Sequence, residues 1–175
     1  LKITQRKYWT PESVNSRQST KFKDTSLIID KTRSLIEKAV SDQLVGDVPV
    51  GVFLSGGLDS STITAFASRN YGKPIDTFSV GFDFEHDNDE LPKASIVAKE
   101  FKTNHHEMRI TGYDISDVVQ EMVHHHDSPF SDAANIPLYL LGQEVRGRSK
   151  VVLQGDGGDE FFGGYRRYST LSNIN

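Results

Sequence analysis

Along the chain, segments in which apolar residues recur at helical spacing alternate with short continuous apolar runs that are typical of strands. From Asp24 onward the apolar positions recur at helical spacing, which predicts a helix that is capped by Asp24 or Thr25 and ends before Gly46. Residues 48–54 form a short continuous apolar run, which is typical of a strand covered on both faces in a parallel sheet. Further runs predict helices at about 60–70, 90–101, 114–125 and 137–146, strands at 75–82, 104–110 and 150–154, and a loop at 83–89.

Strands that alternate with helices indicate an α/β fold with a doubly wound parallel sheet and helices on both faces. Ligands of such sheets bind at the carboxyl ends of the strands. Residues 1–23 are polar and weakly periodic, so we interpret them as a lead-in segment and residues 24–175 as the N-terminal part of a longer domain. The chain lacks an initiator Met and stops soon after a glycine-rich motif, so we expect an internal piece of a longer protein.

A Ser-Gly-Gly turn separates the first predicted strand from the helix that follows it, in the stretch SGGLDSS at 55–61. Glycines allow the backbone to approach an anion closely, and the unpaired N–H groups of a helix N-terminus favour phosphate. Ser55 and Ser60 add hydroxyl groups, and Asp59 places a carboxylate where a magnesium ion on phosphates would lie. No Gly-Lys-Ser/Thr occurs, which excludes a Walker A loop. The motif therefore predicts another type of phosphate cradle, with an ordinary capped turn as the alternative.

A second glycine-rich motif, GDGGDEFFGGY at 155–165, follows the last predicted strand. Its acidic residues Asp156, Asp159 and Glu160 repel one another unless a cation or a donor is bound. Magnesium prefers one or two carboxylates together with phosphate oxygens and water. We therefore predict that Asp59 and Asp159 hold Mg²⁺ on a triphosphate, with a solvated acidic turn as the alternative.

Composition narrows the classes of function. The chain is 36% hydrophobic and 25% charged with a formal net charge of −4, which argues against binding to nucleic acid or to an anionic membrane. No apolar run approaches the length of a membrane span, and no export signal is evident, so we expect a cytoplasmic protein. The absence of Cys excludes disulfides, thiolate zinc sites and a cysteine nucleophile in this segment. The paired His105-His106 are interpreted as structural histidines, and the run 124–126 as a helix end with mixed burial, rather than as metal ligands.

The two motifs, about 95 residues apart, resemble the synthetase domain of glutamine-dependent asparagine synthetases, which are members of the ATP pyrophosphatase superfamily. The segments at 8–9, 76–82, 103–107 and 127–132 are also similar to that family, and the likeness extends over residues 8–168. The resemblance implies that the side-chain carboxylate of aspartate attacks the α-phosphorus of ATP, and that ammonia then displaces AMP from β-aspartyl-AMP. It also implies a glutaminase domain in the same polypeptide that supplies ammonia from glutamine. Whether the protein forms a homodimer is left open.

The resemblance also implies roles for individual residues. It places pyrophosphate on Ser55, Gly56, Gly57, Asp59 and Ser60. It places adenosine on Leu54, Val80, Gln154 and Gly155, largely through backbone groups. Asp59 and Asp159 would bind Mg²⁺, and Asp156 would face the reacting centre.

The chain departs from the family pattern at two of these positions. The family usually has Ser at the position of Gln154 and commonly Glu at the position of Asp156. Its catalytic lysine and its glutaminase cysteine have no match in this chain, so we expect the chain by itself to bind nucleotide without completing catalysis.

Three other readings remain open. The first is a relative that activates another carboxylate, such as a β-lactam-forming ligase or an amidotransferase acting on sugars. The lactam-forming relatives tend to carry Tyr at the position of Asp156, so its carboxylate favours the asparagine branch. The second is a tRNA-thiolating relative, against which the missing cysteines and basic face argue. The third is a nucleotide-binding module without catalysis, against which the intact Ser55, Asp59 and Asp159 argue.

Overall fold

A computed structural model describes residues 2–8, 24–83, 89–111, 114–127 and 134–172. The chain divides into two compact units, residues 1–36 and 37–175. Most of the predicted lead-in and of the loop at 83–89 lies outside the described residues, so these two assignments stay predictions. The helices are α1 (Thr25–Gln43), α2 (Leu58–Asn70), α3 (Leu91–Phe101), α4 (Asp114–His126), α5 (Asn135–Val145), α6 (Gly158–Phe162) and α7 (Arg166–Ser172). The strands are β1 (Val50–Phe53), β2 (Asp76–Phe82), β3 (Asn104–Ile110) and β4 (Val151–Leu153).

The four strands form one parallel sheet in the order β3-β2-β1-β4. Gly51 of β1 pairs with Asp76 of β2 on one side and with Val152 of β4 on the other. The α/β fold with a doubly wound parallel sheet is therefore confirmed. All the predicted strands and helices are present, with ends that differ by a few residues, and the short helices α6 and α7 add to them.

Local chemistry explains several of the element ends. Asp24 caps α1, as one of the two predicted alternatives, because its Oδ1 accepts hydrogen bonds from the Ser26 N–H (2.9 Å) and hydroxyl (2.8 Å). Helix α5 begins at Asn135, two residues before the predicted start, since Pro137 is tolerated in a first turn. Among the described residues, no helix has the length and apolarity needed to cross a membrane.

Apolar side chains cover the sheet. Phe78 of β2 is fully buried and packs with Leu141 and Val145 of α5. Gly51 leaves room for that ring, because a Cβ there would lie 2.8 Å from a ring carbon of Phe78. Two further clusters of buried residues also contribute to the core. Their members are Leu54, Ala94 and Ala98 in one, and Ile110, Val118, Met122 and Leu140 in the other.

The strand order creates a crevice at one edge of the sheet. Strand β1 is followed in space by β2 and β3 on one side, whereas β4 lies on its other side. The loops that leave the carboxyl ends of β1 and β4 therefore start side by side. In doubly wound sheets this reversal of strand order is where ligands bind. Both glycine-rich motifs lie at this place.

Candidate active site

A cleft of about 990 Å³ opens at the carboxyl ends of the strands. Both glycine-rich loops line it, together with residues that follow β1, residues of β2, and the first turns of α5. Of the residues predicted for the site, Gly56 alone is missing from the described lining. The lining contains Leu54, Ser55, Gly57, Asp59, Ser60, Val80, Gln154, Gly155, Asp156 and Asp159.

The loop after β1 is held by its own serines. The Ser55 N–H donates to Ser60 Oγ (3.2 Å), and the two serine hydroxyls lie 2.9 Å apart. The Gly57 N–H donates to Ser55 Oγ at 3.2 Å, and Ser60 Oγ donates to the Gly57 carbonyl at 3.4 Å. Ser60 is buried. Both hydroxyl groups are thus engaged inside the loop and help to fix its shape, while their contact with pyrophosphate stays a prediction.

Backbone N–H groups remain for an anion at the start of α2. The Ser61 N–H donates to the Gly57 carbonyl at 3.0 Å. Leu58, Asp59 and Ser60 lie before Ser61 in the first turn of the helix. Helix geometry therefore leaves their N–H groups without an intrahelical acceptor. They lie at the positive end of the helix dipole. This end of α2 therefore provides the donors that a phosphate group requires.

Gly56 allows the loop after β1 to pack against α3. Its φ of 75° lies in the left-handed region, and a Cβ there would be 2.6 Å from the Ala94 nitrogen and from Lys93 Cβ. The loop thus packs against α3 at this residue, and only glycine fits. Contact of Gly56 with pyrophosphate stays a prediction, and the geometry supports a role in shaping the loop.

Asp59 joins the two glycine-rich loops. A Cβ on Gly155 would lie 2.9 Å from Asp59 Cβ, and a Cβ on Gly158 would collide with the Asp59 carboxylate. Asp59 is half-buried in the first turn of α2, where the helix dipole stabilises its negative charge. Among the described residues, its carboxylate has no hydrogen bond or ion pair. The carboxylate oxygens therefore remain available to a cation.

The second loop is shaped by its glycines and by one side-chain hydrogen bond. Gly157 has a φ of 93°, and a Cβ on Gly164 would collide with the Asp159 carboxylate. The Gln154 amide donates through Nε2 to Asp156 Oδ2 at 2.5 Å. Asp159 lies in the first turn of α6. The predicted residues Gln154, Asp156 and Asp159 thus share one wall of the cleft.

The described lining of the cleft is acidic. It contains no Lys, Arg or His, and its carboxylates are Asp59, Glu90, Asp156, Asp159 and Glu160. Desolvation raises the pKa of Glu90, although Lys93 opposes this shift. The Tyr165 hydroxyl donates to Glu160 Oε1 at 2.7 Å and lowers the pKa of that carboxyl. Within the described part of the chain, no three His, Cys, Asp or Glu side chains are grouped to hold a metal ion.

Sequence reasoning missed several residues that build the site. Ser79 of β2 is buried and donates its hydroxyl to the Leu54 carbonyl, which anchors the end of β1. Glu90 also lines the cleft, as do Glu160 and Tyr165, which lie in the second glycine-rich motif but had no individual role predicted for them. The register of β1 with β2 brings Ser79 to Leu54, and no local pattern around Ser79 signals this contact.

The histidines that we did not predict as metal ligands differ in their surroundings, since His105 and His106 contact neighbouring side chains of the sheet whereas the run 124–126 is exposed. His105 Nδ1 lies 2.9 Å from Thr77 Oγ1, and the His106 ring stacks on Phe78 with centroids 5.1 Å apart. His106 Nε2 also lies 3.1 Å from Asp76 Oδ1. The run 124–126 was expected at a helix end with mixed burial, but all three residues are exposed in the last turn of α4.

Comparisons of sequence match the chain to one family of proteins. The family model for asparagine synthase matches residues 31–175. A putative glutamine-hydrolysing asparagine synthetase 2 of Methanocaldococcus jannaschii is 40% identical over 144 residues, which cover 81% of this chain and 27% of that protein. The glutamine-hydrolysing asparagine synthetase 3 of Bacillus subtilis is 36% identical over 178 residues, which cover 94% of this chain and 28% of that protein. The chain thus spans little more than a quarter of the length of these relatives.

A solved structure shares the fold. An NH3-dependent NAD synthetase from Campylobacter jejuni, in complex with nitrate, matches with a TM-score of 0.53 and 14% sequence identity. The match covers 78% of this chain and 60% of the synthetase chain. At this identity the likeness shows the fold alone.

Proposed function

The chain belongs to the asparagine synthase family, and we propose that it forms the nucleotide-binding part of an ATP-dependent asparagine synthetase. In the proposed reaction, a side-chain carboxylate oxygen of aspartate attacks the α-phosphorus of ATP. The bond between the α-phosphorus and the oxygen that links it to the β-phosphorus breaks, which yields β-aspartyl-AMP and pyrophosphate. Ammonia then attacks the acyl carbon of β-aspartyl-AMP. AMP leaves with the aspartate oxygen that joined the acyl carbon to phosphorus, and loss of a proton gives asparagine. A cytoplasmic location is part of this proposal.

One observation carries the proposal, the contact between the two loops at Asp59. Because Gly155 and Gly158 pack against Asp59, the N-terminus of α2 and the acidic second loop form one continuous surface. A pyrophosphate group on the free N–H groups of α2 would therefore lie beside Asp156 and Asp159. Catalysis of phosphoryl and nucleotidyl transfer depends mainly on such positioning and on neutralisation of charge.

The donor set fits magnesium. Asp59 and Asp159 offer hard carboxylate oxygens, and neither carboxylate has a hydrogen bond or an ion pair among the described residues. Without a third grouped ligand, phosphate oxygens and water would complete the coordination. When bound, the ion would neutralise charge on the phosphates, which five lining carboxylates would otherwise repel.

The chain's own residues would bind and orient the nucleotide. The N–H groups of Leu58, Asp59 and Ser60 would hold pyrophosphate, while the Ser55–Ser60 hydrogen bonds keep the loop in shape. Adenosine would lie along backbone groups at the carboxyl ends of the strands. These groups belong to Leu54, Val80, Gln154 and Gly155.

The proposed reaction also needs groups that this cleft does not show. The described lining provides no cation to bind the aspartate carboxylate or the leaving pyrophosphate. In the whole protein, a lysine from another segment would supply this charge, and a glutaminase domain would supply ammonia. A homodimer remains part of the same proposal.

ATP–pyrophosphate exchange on the full-length protein tests the function. We expect exchange that requires both aspartate and magnesium. It should vanish in Asp59→Asn and persist in Asp47→Asn, because Asp47 is exposed and lies outside the described lining of the cleft. Exchange supported by a different acid, and not by aspartate, would assign the protein to a relative that activates another carboxylate. Tight Mg-ATP binding without exchange for any acid would instead indicate a nucleotide-binding module.

A further inference from the structure

Asp156 lies at the tip of a tightly held turn. On one side, Gly155 packs against α2 so closely that a Cβ would be 2.9 Å from Asp59 Cβ. On the other side, Gly157 has a φ of 93°, and the Gly158 N–H donates to the Gly155 carbonyl at 3.3 Å. The backbone at Asp156 therefore has little freedom, and the direction of its carboxylate depends on the partner of its side chain.

That partner is Gln154. Its Nε2 donates to Asp156 Oδ2 at 2.5 Å, and both side chains are exposed in the wall of the cleft. Among the described residues, no other hydrogen bond or ion pair reaches either side chain. The bond uses one carboxylate oxygen and one amide hydrogen. Asp156 Oδ1 and Gln154 Oε1 remain as two acceptors without a protein donor.

The donors available in the cleft and in the substrates indicate which group binds to these two acceptors. When substrates fill the cleft they displace water, and acceptors that lose hydration then require a donor. The described lining offers no Lys, Arg or His. The triphosphate of ATP and both carboxylates of aspartate carry acceptors only, and the hydroxyl and amine donors of adenosine are neutral. The α-ammonium group of aspartate is cationic and carries three N–H donors, so it complements two acceptors beside a negative charge.

We infer that the Gln154–Asp156 pair binds the primary ammonium group of the amino-acid substrate through Asp156 Oδ1 and Gln154 Oε1, and that the Gln154 amide holds Asp156 in place for this contact. This inference rests on the proposed function and names how its acid would be recognised. Gln154 and Asp156 are also the two positions at which the chain departs from the pattern of the family it resembles. Their hydrogen bond places both departures in one contact within the cleft.

The test compares aspartate with succinate, which is aspartate without the ammonium group. Equilibrium binding of each acid to the full-length protein, in the presence of magnesium and a non-hydrolysable ATP analogue, is measured for wild type and for Gln154→Met. Methionine has a similar length and no amide. Gln43→Met is the matched control, because Gln43 is exposed at the end of α1, outside the described lining of the cleft.

We expect Gln154→Met to weaken aspartate binding about tenfold, as for loss of one hydrogen bond to a charged group. Succinate binding should not change, and nucleotide should still bind, because adenosine is proposed to contact the backbone of Gln154 and not its side chain. In an Asp156→Asn background, Gln154→Met should weaken aspartate binding less than it does in the wild-type background, because part of its effect acts through Asp156. Equal weakening of aspartate and succinate, or weaker nucleotide binding instead, would overturn the inference. So would a wild-type protein that binds the two acids equally.

The same experiment separates the inference from the function on which it rests. Wild-type protein that prefers aspartate over succinate but shows no aspartate-dependent exchange would refute the proposed reaction, while the variants still decide the role of Gln154. Aspartate-dependent exchange together with unchanged discrimination in Gln154→Met would refute the inference alone.

Discussion

Replacement of Gly158 by Ala tests the contact between the two loops. The new Cβ would collide with the Asp59 carboxylate, whose carbon Cγ would be only 2.5 Å away. The backbone of Gly158 cannot retreat freely, because Gly155 is itself packed against α2. The Asp59 side chain must therefore leave its position, and the first predicted magnesium ligand moves with it.

The net effect on folding is the difference between two opposed terms. Overpacking of this kind costs about 1–3 kcal/mol. Alanine in place of glycine at the start of α6 recovers about 0.5–1 kcal/mol, because it restricts the unfolded chain. We therefore expect the free energy of unfolding to fall by about 0–2.5 kcal/mol. Displacement of a charged ligand should weaken Mg-ATP binding more clearly, by about tenfold or more.

Urea denaturation and titration calorimetry with Mg-ATP measure the two effects separately. Gly142→Ala is the control, because Gly142 lies within α5 and a Cβ there meets no atom within 4 Å. That variant should gain about 0.5–1 kcal/mol of stability and bind Mg-ATP as wild type does. A Gly158→Ala protein with unchanged Mg-ATP affinity would refute the reasoning, because the two loops would then not meet at Asp59.

Three further predictions follow from the site and the core. Ser60→Ala removes the acceptor of the Ser55 N–H and should lower the free energy of unfolding, measured in urea, by about 1–3 kcal/mol; an unchanged value would contradict the loop geometry. Burial lowers the pKa of His105, so the unfolded chain takes up a proton first, and stability should fall as the pH drops below about 6.5. His105→Gln should flatten that dependence in urea titrations from pH 7.5 down to about 5.5, whereas the exposed His124→Gln should not. Chelation of magnesium should abolish the rise in Tm that ATP produces, and a rise that survives EDTA would argue against the acidic cleft as the nucleotide site.

The fold could be predicted because its signals are local. The apolar run before Ser55 and the run before Gly155 each identify a strand, and the glycines after them mark where each strand ends. Parallel pairing then brings both carboxyl ends to the same edge of the sheet. The position of both loops at one cleft follows from these facts alone.

The contacts that shape the site could not be predicted in the same way. Ser79 reaches the Leu54 carbonyl through the pairing of β1 with β2, and Gly158 reaches Asp59 across about 100 residues of sequence. The sequence predicts Ser60 as a phosphate donor, yet its hydroxyl is engaged inside the loop. Tertiary packing decides which polar groups are used internally and which remain for a ligand, and single-sequence patterns carry little of that information.

Transfer of oxygen from aspartate to AMP tests the central claim most directly. The full-length protein is supplied with ATP, magnesium, glutamine and aspartate labelled with ¹⁸O in its side-chain carboxylate, and the products are analysed by mass spectrometry. Attack of that carboxylate on the α-phosphorus, followed by displacement of AMP, predicts one ¹⁸O atom in AMP and none in pyrophosphate. Formation of ADP with labelled inorganic phosphate, or of AMP without label, would contradict the account.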